Sequence, residues 1–159
     1  MTRFTELRTK DDLPPDAHAI FDAIAESRGS VRGPFAVLLH SPELAGRVAR
    51  LGAFVRFESG LPEAMRELSV LVGAHTWRCE YEWGTHLPLA RAAGVRPEAI
   101  EAVASDAGLE AFTPDEALMV RFTRALITEH RVDEATLAEM RARYGDRGVI
   151  ELSAGIGYY

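Results

Sequence analysis

Apolar residues recur every three to four positions along almost the whole chain, and the two-residue alternation of a half-buried strand is nearly absent. Such stripes have to be covered by other helices, so the pattern predicts an all-α fold. Proline placement agrees with it, because proline is accepted in the first turn of a helix and disrupts its interior. Pro15, Pro34, Pro42, Pro62, Pro97 and Pro114 each stand where an apolar stripe begins. In TPDEALMVRFTRALITEH, Thr113 is placed to cap, Pro114 takes the first helical position and Glu116 completes a capping box.

The remaining boundaries follow from the same signals. A first helix is expected from near Pro15 to before Gly29, with Ala19, Ile20, Ala23 and Ile24 on one face. Pro34 to Leu39 reads as a short helical turn, and SPELAGRVARLGAFVRF as a helix capped by Ser41. A long helical region runs from Pro62 to about Ala93, where Gly94 is a natural stop. RPEAI opens another helix at Pro97, Asp133 caps EATLAEMRARYG, and a last helix begins near Asp146.

With 159 residues, the chain is expected to be a single domain with one core. The formal charge of −6 argues against nucleic acid, whose nonspecific binding depends on a basic surface. No apolar run approaches the roughly 18 residues that span a bilayer, so no membrane segment is expected. A single cysteine cannot form an internal disulfide, and the N-terminus lacks a signal-peptide pattern, which makes a cytoplasmic location the expectation. The last segment, DRGVIELSAGIGYY, is apolar to its final residue, consistent with a trimmed end or with cover from a partner subunit.

Chemistry concentrates in HTWRCEYEWGTH, residues 75–86. Cys79, Glu82 and His86 are spaced i, i+3, i+7 and would share a face on one helix. Glu67 precedes Cys79 by twelve positions, roughly 18 Å and about 120° away on a straight helix. It can join them only if the helix breaks. GAHT offers the break, since Gly73 weakens helix and Thr76 can cap a new one, whose positive end would favour an anion near Trp77 to Cys79. A metal site from His75, Cys79, Glu82 and His86 is disfavoured because His75 precedes that break.

The segment RELSVLVGAHTWRCEYEWGTHLPLARAAGV resembles the carboxymuconolactone decarboxylase family, which includes the alkyl hydroperoxidase D proteins. In the hydroperoxidase branch a glutamate is followed twelve residues on by C-x-x-C, and a histidine stands four residues after the second cysteine. Glu67, Cys79 and His86 match that pattern, and Glu82 occupies the second cysteine position. The likeness is to single-domain members in which a Tyr-Glu-Trp-x-x-His segment replaces the cysteine pair, and it covers best residues 33–94.

The resemblance implies an alkyl hydroperoxidase D-like helical bundle assembled as a homo-oligomer (dimer, trimer or hexamer), with no cofactor and no metal. It implies a site of Glu67, Glu82, His86 and Cys79. Without a second thiol the internal disulfide cycle of a peroxidase cannot close. The expectation is therefore a lyase that performs proton chemistry on a small carboxylate or lactone. His86 serves as proton carrier, Glu82 holds the imidazole or acts as acid, and Glu67 completes a relay. The alternatives are a thiol peroxidase using Cys79 and a non-catalytic binding protein. Trp77, Tyr81 and Trp83 are expected to wall the pocket or a subunit contact, with His40 approaching the same site.

Overall fold

A computed structural model of the chain describes residues 3–159. Every regular element among those residues is helical, as the periodicity requires. They form two compact units, Met1–Glu58 and Ser59–Tyr159.

The first unit contains α1 (His18–Arg28), α2 (Pro34–Leu38) and α3 (Pro42–Ala53). A 3-10 turn over Pro15–Ala17 leads into α1, and Gly29 ends it with φ 76°, a left-handed stop that costs glycine little. Ile24, Ala36, Leu39 and Ala45 are fully buried at its centre. Ala17, Ile20 and Phe21 join that core, whereas Ala19 and Ala23 are exposed, because the larger side chains of α1 take the packed positions. Ser41 precedes Pro42 as expected but makes no side-chain cap, and α3 runs on into a π-helical turn over Phe54–Glu58.

The second unit contains α4 (Glu63–Thr76), α5 (Glu80–Ala92), α6 (Pro97–Ala104), α7 (Pro114–Thr128) and α8 (Glu134–Tyr158). Helix α4 packs against each of the other four. Its run from Arg66 to Val72 is buried at every position, the behaviour of a helix covered all round. Leu68, Leu71 and Val72 meet Ala90, Ala99, Val103, Phe112 and Val120 in one apolar cluster. Leu61, Leu118, Met119, Phe122, Met140 and Leu152 form a second.

Helix ends in this unit follow the sequence signals closely. Gly94 stands just past α5 with φ 85°, and the Val95 N–H reaches back to the Ala90 carbonyl at 2.9 Å. Asp133 accepts from the Thr136 N–H at 2.9 Å, capping α8. Gly145, with φ 67° and ψ 173°, interrupts α8 next to the expected start at Asp146. Among the described residues no helix is both long and apolar enough to cross a membrane.

The capping box at α7 also anchors α6. Glu116 is 4% exposed, accepts the Thr113 N–H at 2.9 Å, and receives Nε and Nη2 of Arg96 at 2.9 and 2.7 Å. The Arg96 hydrogen bonds hold its carboxyl below the usual carboxylate range, outweighing the desolvation that would raise it. A depressed carboxyl stabilises the fold above its unfolded value and loses that contribution as pH falls through the folded one. Glu116→Gln is therefore expected to cost about 1–3 kcal/mol at neutral pH. The gap from the unaltered protein should narrow as pH drops below the ordinary value of 4.5, which denaturant titrations at neutral and acid pH would read.

Candidate functional site

Helix α4 does not continue into α5. The Cys79 N–H bonds the Ala74 carbonyl at 2.8 Å and the Arg78 N–H the His75 carbonyl at 3.0 Å, the paired bonds of a Schellman motif. Arg78 occupies the left-handed position, with φ 53°, where glycine is usual. The break therefore lies a few residues beyond Gly73, which stays inside α4. Thr76 does not cap α5, because its hydroxyl donates to the Val72 carbonyl at 2.7 Å. Cys79 is the N-cap, with extended backbone at φ −91° and ψ 90°.

This turn folds α5 back along α4 and brings Glu67 to His86. His86 Nδ1 lies 2.8 Å from Glu67 Oε2, and the two side chains are 3% and 4% exposed. With Glu67 as a carboxylate, Nδ1 is the donor of this bond and Nε2 is the opposite, exchangeable nitrogen. Nε2 is 3.6 Å from Glu82 Oε2, one turn earlier on α5, within ion-pair reach and beyond a hydrogen bond. Arg66 adds a cation beside the pair, with Nε 3.9 Å from Glu67 Oε1 and Nη2 3.5 Å from Glu63. That buried Arg66 Nε has no hydrogen-bond partner.

The structure thus brings Glu67, Glu82 and His86 together. Cys79 stands at the N-cap of the same helix as Glu82 and His86, its carbonyl accepting the Trp83 N–H at 3.0 Å. It lines a cleft of about 840 Å³ with Thr76, Trp83 and His75, whose Nε2 is 3.0 Å from Asp106. Trp83 is half-buried against the α4–α6 cluster, whereas Trp77 and Tyr81 are 63% and 48% exposed. Trp77 borders another cleft, of about 510 Å³. His40 lies in the first unit, its Nε2 2.8 Å from the Thr5 carbonyl. Among the described residues no group of three or more His, Cys, Asp or Glu side chains is placed to hold a metal ion.

One neighbour was not anticipated. The ring of Tyr159 stands edge-on to His86, with centroids 4.6 Å apart and planes at 77°. The contact links α5 to the end of α8, 73 positions later, and no local pattern announces it. The apolar character of the last segment was its sole trace.

Residues 42–125, more than half of the chain, match the model of the carboxymuconolactone decarboxylase family. Comparison with curated proteins gives no match. Among solved structures, the chain is similar to an uncharacterized peroxidase-related protein from Silicibacter sp. TM1040. The TM-score is 0.72 at 18% identity, over 99% of this chain and 87% of the other. At that identity the likeness concerns the fold.

The turn before α5 yields a test independent of chemistry. Arg78→Gly removes a side chain from a left-handed position and is expected to stabilise by about 0.5–1 kcal/mol. A thermal midpoint raised by about 2 °C would register it. A lowered midpoint would mean that the Arg78 side chain matters more than its backbone strain.

Proposed function

We propose that this chain, which belongs to the carboxymuconolactone decarboxylase family, is a cofactor-free lyase that moves a proton on a small carboxylate or lactone through His86. The observation that carries the reading is the buried hydrogen bond from His86 Nδ1 to Glu67 at 2.8 Å. A carboxylate on Nδ1 fixes ring orientation and stabilises the imidazolium, so Nε2 can take up and release the transferred proton. In a decarboxylation the C–C bond to the carboxylate breaks, carbon dioxide leaves, and its electron pair stays on the substrate as an enolate. Nε2–H protonates that carbon, and Glu82, 3.6 Å away, is positioned to return a proton to the ring. Exclusion of water strengthens each of these charge interactions.

Thiol chemistry is the second reading. Cys79 stands at the N-cap position of the thirteen-residue α5, beside the positive end of that helix. As a thiolate it would take one peroxide oxygen to give a sulfenic acid and an alcohol or water, and an external thiol would reduce it. The cleft that Cys79 lines includes none of Glu67, Glu82 and His86, which weighs against it as the main activity. Assembly as a homo-oligomer belongs to the same proposal, supported by the exposure of Tyr81 and Ile150.

In a screen of small lactone and keto acids for carbon dioxide release, His86→Ala is expected to lower kcat/KM by about 10²–10⁴-fold. Glu67→Gln should lower it by about tenfold or more, through lost orientation, and Cys79→Ser should leave it unchanged. Loss of turnover in Cys79→Ser with His86 intact would replace the lyase by the thiol reading. Full turnover in both His86→Ala and Glu67→Gln would remove the relay and leave a binding protein on this fold.

A further inference from the structure

The larger cleft of the second unit, that of Cys79 and Trp83, includes none of Glu67, Glu82 and His86 among its lining residues. The smaller one is bordered by Trp77, Leu126, Ile127, His130, Ile156 and Tyr159. Tyr159 is also the residue whose ring meets the His86 ring edge-on at 4.6 Å. One side chain is therefore common to an apolar recess and to the buried pair.

The lining sets the chemical class of an occupant. Two aromatic and three aliphatic side chains favour a flat, largely apolar body, and Trp77, 63% exposed, has surface that such a body would cover. The polar groups are few. The Ser153 hydroxyl also borders the recess, but it donates to the Val149 carbonyl at 2.8 Å. Besides the Tyr159 phenol, His130 is the remaining polar side chain of the lining, and its imidazole is the one suited to an anionic group. It stands just past α7 with φ 55°, at the left-handed stop of that helix.

From this geometry we infer that the 510 Å³ recess binds the ring of a small aromatic acid, with His130 at its polar end and Tyr159 acting as a positioning residue that controls access to His86. The role of Tyr159 rests on the proton-transfer reading of His86; occupancy of the recess does not. A ring lodged against Trp77 meets Tyr159 next, and the Tyr159 ring shields the imidazole from molecules in the recess.

Acylation by diethyl pyrocarbonate, followed at each histidine by peptide mass spectrometry, tests both parts without requiring turnover. Saturating phenylacetate is expected to slow acylation of His130 at least threefold and to leave His75, in the other cleft, unchanged. Trp77→Ala should abolish that protection. Tyr159→Ala should speed acylation of His86 at least tenfold with His75 unaffected, and Tyr159→Phe, which retains the ring edge, should behave like the unaltered protein. Protection of His75 in place of His130, or of neither, would overturn the recess as the binding site. An unchanged His86 rate in Tyr159→Ala, or an equal rise at His75, would overturn the role of Tyr159. If His86→Ala proved harmless to turnover while these footprints held, the lyase reading would fall and the binding site would stand.

Discussion

A carboxylate on the most enclosed helix of the second unit has to be answered, and His86 answers it. Glu67 sits within a run of α4 that is buried at every position, so its charge has little water to rely on. An isolated buried carboxylate costs several kcal/mol, and removing one partner of a buried pair typically costs about 3–5 kcal/mol. The second partner arrives from α5, and it arrives only because the chain reverses between Thr76 and Glu80. The left-handed Arg78, the extended Cys79 and the 2.8 Å bond are thus parts of one constraint. Apolar residues of similar volume would pack that position at no such cost.

The pair is asymmetric in a way that suits proton movement. Nδ1 is committed to Glu67, and Nε2 faces Glu82 at a distance longer than a hydrogen bond. Glu82 is 18% exposed at its side chain against 4% for Glu67, so the two carboxylates around one imidazole differ in their access to water. Tyr159 closes a further side of the ring through an aromatic edge contact that constrains its tilt.

Much of this was legible in the sequence, for reasons that can be named. Thr113, Pro114 and Glu116 specify a helix start through hydrogen bonds made within four residues, and Gly94 and Asp133 are equally local devices. The need for a break between Glu67 and His86 followed from helix geometry alone. Its position did not, because Gly73 and Thr76 carry the usual break signals while Arg78 adopts the left-handed conformation without being glycine. That shift makes Cys79 the N-cap of α5, with an extended backbone in place of a helical one. The α1 face and the Tyr159 contact were settled by packing, which local periodicity does not encode.

The central claim, that Glu67 fixes His86 with Nε2 as its working nitrogen, is tested most directly by the tautomer of the His86 ring. Long-range proton–nitrogen correlation NMR on protein labelled with nitrogen-15 histidine distinguishes the two ring nitrogens. The account predicts that Nδ1 keeps its hydrogen when the ring loses a proton and that Nε2 is the nitrogen that gives it up, with a downfield Nδ1 proton that shifts or vanishes in Glu67→Gln. A neutral ring protonated at Nε2, unchanged by Glu67→Gln, would contradict it.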